Sequence, residues 1–152
     1  MIEIKKPTLK EVEAMRNLLR PEVERGVILE RTADEIANAI RSYNVAWEGD
    51  EIVGFCALHI HSPSLAEIRS LIVKESHRGK GIATSIIEVS LKEALGLGVK
   101  EVLVLTYQRT LFEKLGFIEV SKEAIPDHKI WADCIKCKYF PICEEIALIK
   151  RF

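Results

Sequence analysis

Apolar positions along the chain switch between a repeat of about 3.6 residues and one of about 2, the spacings that place side chains on one face of a helix or a strand. Ile2 to Lys5 alternates weakly and reads as a short strand closed by Pro7. Thr8 stands three residues before Glu11, a capping-box spacing, ahead of Val12, Met15, Leu18 and Leu19 at helical intervals. This first helix is expected to stop near Pro21, whose ring removes an amide donor and crowds the preceding turn. After a break at Gly26, Thr32 and Glu35 repeat the capping spacing before a second helix with Ile36, Ala39 and Ile40 on one face.

Asn44 to Trp47 and Glu51 to Ile60, joined by a tight turn at Gly49 and Asp50, read as a hairpin. LAEIRSLIV, Leu65 to Val73, is expected to be a central strand whose polar Glu67, Arg69 and Ser70 face a site. Ile82 to Leu97 reads as a long helix with Ile82, Ile86, Val89 and Leu91 to Leu95 on a broad apolar face, ended by Gly96 and Gly98. Val99 to Tyr107 has the apolar density of a buried strand, and Thr110 to Leu115 a short helix stopped at Gly116. Phe117 to Val120 and Ile146 to Ile149 supply the last two strands. The alternation predicts an α/β fold in one domain over 1–152, with a cysteine-containing insertion at about 121–144.

Composition narrows the function classes. Lysine and arginine total 22 against 23 acidic residues, a formal charge of -1, so nothing in the balance points to nucleic acid. No signal-like leader opens the chain and no apolar run approaches the roughly 20 residues of a membrane span, so a cytoplasmic protein is expected. Of four cysteines, Cys56 lies in an apolar run while Cys134, Cys137 and Cys143 cluster near the C-terminus.

The stretch HRGKGIATSII, His77 to Ile87, follows a strand and opens a helix. Glycines at 79 and 81 leave the backbone amides at the helix start open to an approaching phosphate, an anion cradle, although an ordinary tight turn competes on glycine chemistry alone. No Gly-Lys-Ser/Thr follows, which excludes the nucleotide-triphosphatase loop; Thr84 where the dinucleotide fingerprint has glycine excludes that pattern too.

With Arg78, Gly81 and Ala83 at the fixed positions of Arg/Gln-x-x-Gly-x-Gly/Ala, and FEKLGF at Phe112 to Phe117, the chain resembles the GCN5-related N-acetyltransferases over nearly its whole length. The resemblance implies that family's acyl-coenzyme A N-acyltransferase fold, a mixed central sheet flanked by helices, with acetyl-coenzyme A as cosubstrate. It implies that Arg78, Gly79, Lys80, Gly81, Ile82, Ala83 and Thr84 bind the pyrophosphate, and that Ile72 and Val73 pair with the pantetheine arm. Many members place a tyrosine before Glu-Lys-Leu-Gly-Phe as the acid for the leaving thiolate. Phe112 stands there in this chain, so Tyr107 becomes the candidate acid, against a purely structural tyrosine or proton supply by water.

GVILERT, EIRSLIV, LTYQ and HKIWADCIKCKYFPICEEIALI are similar to short bacterial amino-acid N-acetyltransferases of the N-acetylglutamate synthase type. That likeness implies acetyl transfer to the α-amine of L-glutamate in arginine biosynthesis, and a homodimer. Glutamine, another small amine, a protein amine, or a non-catalytic acyl-coenzyme A-binding regulator are the alternatives. Glu67 is the expected general base, directly or through water, with a surface carboxylate or a partner for Arg69 as the competing readings. Arg31 and Arg69 are the expected carboxylate-binding pair, since guanidinium presents parallel donors. Cys134, Cys137, Cys143 and His128 are enough in number for tetrahedral zinc, but thiols packed in a lid among Trp131, Tyr139 and Phe140 are the preferred reading.

Overall fold

The computed structural model describes residues 1–26, 30–121 and 146–152. Along the chain lie β1 (Ile2–Lys5), α1 (Val12–Glu24), α2 (Ala33–Asn38), β2 (Tyr43–Glu48), β3 (Glu51–Ile60) and β4 (Leu65–Val73). They are followed by α3 (Ile82–Leu97), β5 (Glu101–Thr106), α4 (Arg109–Lys114), β6 (Ile118–Val120) and β7 (Ile146–Arg151). The strands form one seven-stranded sheet in the order β1-β2-β3-β4-β5-β7-β6. Every neighbouring pair is antiparallel except β4 and β5, which run parallel and are joined through α3. This is the mixed, helix-flanked sheet expected of the resemblance.

Each sheet face has its own core. Ile82, Ile86, Ile87, Leu91 and Ala94 of α3 pack with Ala66, Ile68, Val102, Val104 and Phe112 on one side. Val12, Met15 and Leu19 of α1 and Ile36 of α2 cover Tyr43, Val45, Phe55 and Ile72 on the other. A smaller cluster of Leu65, Leu103, Ala147 and Ile149 continues that second side toward β7.

Two helices differ from their expected patterns. Helix α1 does not stop at Pro21 but runs on to Glu24, closing with the Arg25 amide on the Pro21 carbonyl at 3.2 Å. Burial of Val12, Met15, Leu19 and Glu22 as one stripe offsets the single hydrogen bond that proline removes. In α3 the buried stripe is Ile82, Ile86, Ile87, Ser90, Leu91 and Ala94, while Val89 and Leu95 are exposed. At about 100° per residue those two lie some 120° from the stripe's centre.

Ser90 enters the core because its polarity is answered there. Its hydroxyl donates to the Ile86 carbonyl at 3.0 Å, receives the Asn44 amide at 3.0 Å and meets the Cys56 thiol at 3.2 Å. Asn44 also donates to Glu93 at 3.0 Å, and Glu93 pairs with Lys6 at 2.7 Å. The network ties α3 to β2 and β3.

Both helices beside β5 end alike. Val99 donates to the Ala94 carbonyl and Gly98 to Leu95; Phe117 donates to Phe112 and Gly116 to Glu113, each bond at 3.1 Å. These are the paired six-to-one and five-to-two bonds of a Schellman closure, which brings the flanking apolar residues together. Phe112 and Phe117 accordingly stack edge to face with centroids 5.2 Å apart.

Gly54 allows β3, β4 and α3 to approach: a Cβ there would lie 2.8 Å from the Ile72 carbonyl oxygen and 3.1 Å from Ile86 Cδ1. Gly54→Ala is expected to destabilise by about 1–3 kcal/mol in urea unfolding. Gly96→Ala, where nothing lies within 4 Å, should be neutral or stabilising by up to about 1 kcal/mol. Burial pushes the Cys56 thiol up to about 12, so maleimide at pH 8 should leave Cys56 unlabelled in the native protein and label it in denaturant, as read by peptide mass spectrometry.

Candidate active site

The site begins with an irregularity in β4. Between the pairs Phe55–Ile72 and Ala57–Arg69, β3 supplies one residue, Cys56, and β4 supplies two, Ser70 and Leu71. Ser70 takes φ 54°, the only positive φ outside glycine among the described residues. This β-bulge inverts the side-chain alternation. Before it, Ala66 and Ile68 face α3; after it, Leu71 and Val73 do. Pairing of β4 with β5 ends at Ile68 opposite Val104, so the edge of β4 from Arg69 to Val73 runs on without β5 hydrogen bonds. An extended, amide-bearing arm fits such an edge, and Ile72 and Val73, paired to β3 on their other side, lie along it.

The glycine turn stands at the end of that edge. Gly79 and Gly81 both have φ 80° and open space where a Cβ would be. Gly81 begins α3 without a side-chain cap, and the first helical bond runs from the Ser85 amide to its carbonyl at 3.1 Å. The amides of Ile82, Ala83 and Thr84 precede that bond and lack intrahelical partners, as the first turn of any helix does. Lys80 is exposed at the tip. Arg78 behaves differently: its Nε donates to the Val73 carbonyl and its Nη2 to Glu22, both at 3.0 Å. The turn therefore has the open backbone donors and helix N-terminus that a pyrophosphate requires.

On the α1 side of β4 lies a row of charge. Glu67 is buried, and its Oε1 meets Arg69 Nε at 2.9 Å and His61 Nε2 at 2.8 Å. The sequence offered Glu67 as base or as the partner of Arg69; the ion pair is present, and both contacts fall on one oxygen, leaving Oε2 outside them. His61 is 1% exposed at its side chain, and His59 stacks edge to face on it at 4.6 Å. Register joins the row: His59 opposes Glu67, Ala57 opposes Arg69, and Tyr43 opposes Ala57. Burial raises the Tyr43 pKa, against the lowering charge of Arg31, with Glu35 adding to the rise and Arg69 opposing it. Tyr43 thus remains a protonated donor within the electrostatic reach of both arginines, and Arg31 is brought there by the Thr32 capping box of α2.

Tyr107 follows β5, three residues past the last β4–β5 pair at Val104, and is exposed where the Gln108 amide bonds Thr106 Oγ1 at 2.9 Å and the chain turns into α4. Phe112 is fully buried against Phe117, so the position that carries a tyrosine in many relatives here locks a helix end. Cys134, Cys137, Cys143 and His128 lie outside the described residues. His61, His59 and Tyr43 were missed from sequence. The i, i+2 spacing of the histidines placed both on one strand face, but only the register across β3 and β4 brings them to Glu67.

Residues 12–117 match the acetyltransferase (GNAT) family. An N-acetyltransferase of Chlorobaculum tepidum, itself uncharacterized, is 35% identical over 147 residues, covering 97% of this chain and 94% of its own. The amino-acid acetyltransferase of Haemophilus ducreyi is 27% identical over 129 residues; the match covers 83% of this chain but 29% of that longer protein. Among solved structures, N-acetylglutamate synthase from Neisseria gonorrhoeae, complexed with coenzyme A and N-acetyl-glutamate, superposes with TM-score 0.88 at 19% identity, over 99% of this chain and 35% of that one.

Because position 81 holds φ 80°, a left-handed conformation that costs a residue bearing a Cβ about 1–2 kcal/mol, Gly81→Ala should weaken coenzyme A binding about tenfold by calorimetry while unfolding remains cooperative. Wild-type affinity would show that these amides do not hold the anion.

Proposed function

Because this chain belongs to the acetyltransferase (GNAT) family, we propose that it moves the acetyl group of acetyl-coenzyme A to the α-amine of L-glutamate, forming N-acetyl-L-glutamate and coenzyme A. The observation that carries the acceptor is the row Arg31, Tyr43, Arg69 and Glu67 beside the free edge of β4, where two carboxylates and an amine find complementary groups. The likeness to amino-acid acetyltransferases supports the same reading. We read the reaction as a step of arginine biosynthesis in the cytoplasm, with a homodimer as the expected assembly.

Bound acetyl-coenzyme A supplies a thioester whose acyl carbon bonds the acceptor nitrogen as the carbon–sulfur bond breaks. The amides of Gly79 to Thr84 hold the pyrophosphate, with Lys80 adding charge, and the edge at Ile72 and Val73 aligns the arm. An amide N–H from Leu71 to Val73 donates to the acyl oxygen as negative charge grows on it. Arg31 and the outer nitrogens of Arg69 take the carboxylates of the acceptor, with Tyr43 between them. The α-ammonium of a free amino acid loses its proton at a pKa of roughly 8 to 10, so its lone pair is freed with the help of a base. Glu67 accepts that proton at Oε2, directly or through one water, while Arg69 and His61 fix its other oxygen. Tyr107 or water returns a proton to the departing sulfur.

Purified protein with acetyl-coenzyme A should release free coenzyme A and form N-acetylglutamate when L-glutamate is present, with at least tenfold less release on glutamine, aspartate or no acceptor. Equal or greater activity on glutamine would move the acceptor assignment. Glu67→Gln should lower kcat about 100-fold with coenzyme A affinity within twofold, and an unchanged kcat removes Glu67 as base. Tyr107→Phe should lower kcat about tenfold if it is the acid; full activity assigns that proton to water.

A further inference from the structure

We propose that Glu22, on α1 and outside the glycine turn, is a positioning residue for coenzyme A that acts through Arg78. The proposal rests on the turn being the coenzyme site and is independent of which amine is acetylated.

Arg78 opens the turn, yet its guanidinium is folded back beneath it. Nε donates to the carbonyl of Val73, the last residue of β4, and Nη2 donates to Glu22 Oε1, each at 3.0 Å. Between these residues the backbone makes a single 3-10 turn, Glu75–His77, closed by the His77 amide on the Lys74 carbonyl at 2.8 Å and the Arg78 amide on Glu75 at 3.3 Å. The side chain of Arg78 thus fastens its own end of that turn to the strand that precedes it and to the helix across the sheet.

Glu22 suits the anchoring role by its burial. Its side chain is 11% exposed against 45% for Arg78, and it reaches this place only because α1 continues past Pro21. Arg25 Nη1 donates to the same Oε1 at 3.0 Å, which holds the carboxylate from the other side. A buried carboxylate with two guanidinium donors is a fixed point; an arginine reaching into solvent from a glycine-rich turn is not. The amides from Gly79 onward therefore project from a base whose position is set by α1 and β4 together.

Charge alone makes the opposite forecast. The three groups carry one net positive charge, and Glu22→Gln would raise it to two, which by attraction alone tightens a polyanion. Loss of the anchor loosens it. The sign of the change separates the two effects.

The test is calorimetric titration of coenzyme A into the full-length wild type, Glu22→Gln, Arg78→Ala and the double variant at one salt concentration, without acceptor. Glu22→Gln is expected to weaken binding about tenfold, and to add less than twofold once Arg78 is alanine, the non-additivity of groups acting through one contact. Unchanged or tighter binding in Glu22→Gln, or its full penalty persisting in the Arg78→Ala background, overturns the proposal. Arg78→Lys leaves α1 untouched and preserves charge, but an ammonium cannot reproduce the fork that spans Val73 and Glu22. It is expected to weaken coenzyme A about as much as Glu22→Gln, and wild-type affinity in that variant also overturns the proposal. Because no acceptor is present, failure of the glutamate-dependent acetyl assay leaves this result intact, whereas a wild type that binds no coenzyme A overturns it together with the reading of the turn.

Discussion

Ser70 is held in a left-handed conformation by its neighbours: Arg69 must oppose Ala57 and Ile72 must oppose Phe55, with one residue too many between them. The strain, of order 1–3 kcal/mol for such a residue, is carried by the pairing on either side. From this extra residue the rest follows. It turns Leu71 and Val73 toward α3 while Glu67 and Arg69 keep to the opposite face, and β4 parts from β5 beyond Ile68. The backbone edge exposed by that parting leads directly to the glycine turn. The open backbone edge, the Glu67–Arg69 ion pair and the approach to the glycine turn thereby meet along one strand, β4.

Two buried carboxylates organise the two halves of the site in the same manner. Glu67 takes Arg69 and His61 on a single oxygen; Glu22 takes Arg78 and Arg25 on a single oxygen. In each case a basic group belonging to the site is restrained through one of its nitrogens. The difference lies in what faces outward. At Glu67 these contacts leave Oε2 outside them, whereas Glu22 ties the arginine that opens the glycine turn to α1.

Most of the architecture was legible because the apolar pattern and the punctuation agree. The bounds of β3, β4 and α3 match the expected segments residue for residue, and both threonine capping boxes form. Pro21 misled because a proline rule is local, whereas the stripe that carries α1 past it is completed by contacts from the sheet. The open turn before α3 was readable from its glycines. The row around Glu67 was only half readable: Arg69 is two residues away in sequence, but His61 and Tyr43 arrive through strand register. No local signal marked Ser70 as a bulge, since serine carries no preference for positive φ comparable to glycine's.

The single parallel pairing also bears on how the molecule comes together. Strands β2 to β4 form an antiparallel meander between close sequence neighbours, and it lies with the glycine turn within the first two thirds of the chain, whereas β1 and α3 reach their partners across long stretches of sequence. Strand β5 must return across the length of α3 to reach β4, and β7 must then close upon β5. The glycine turn is thus encoded ahead of the strands that complete the sheet on the other side of β4.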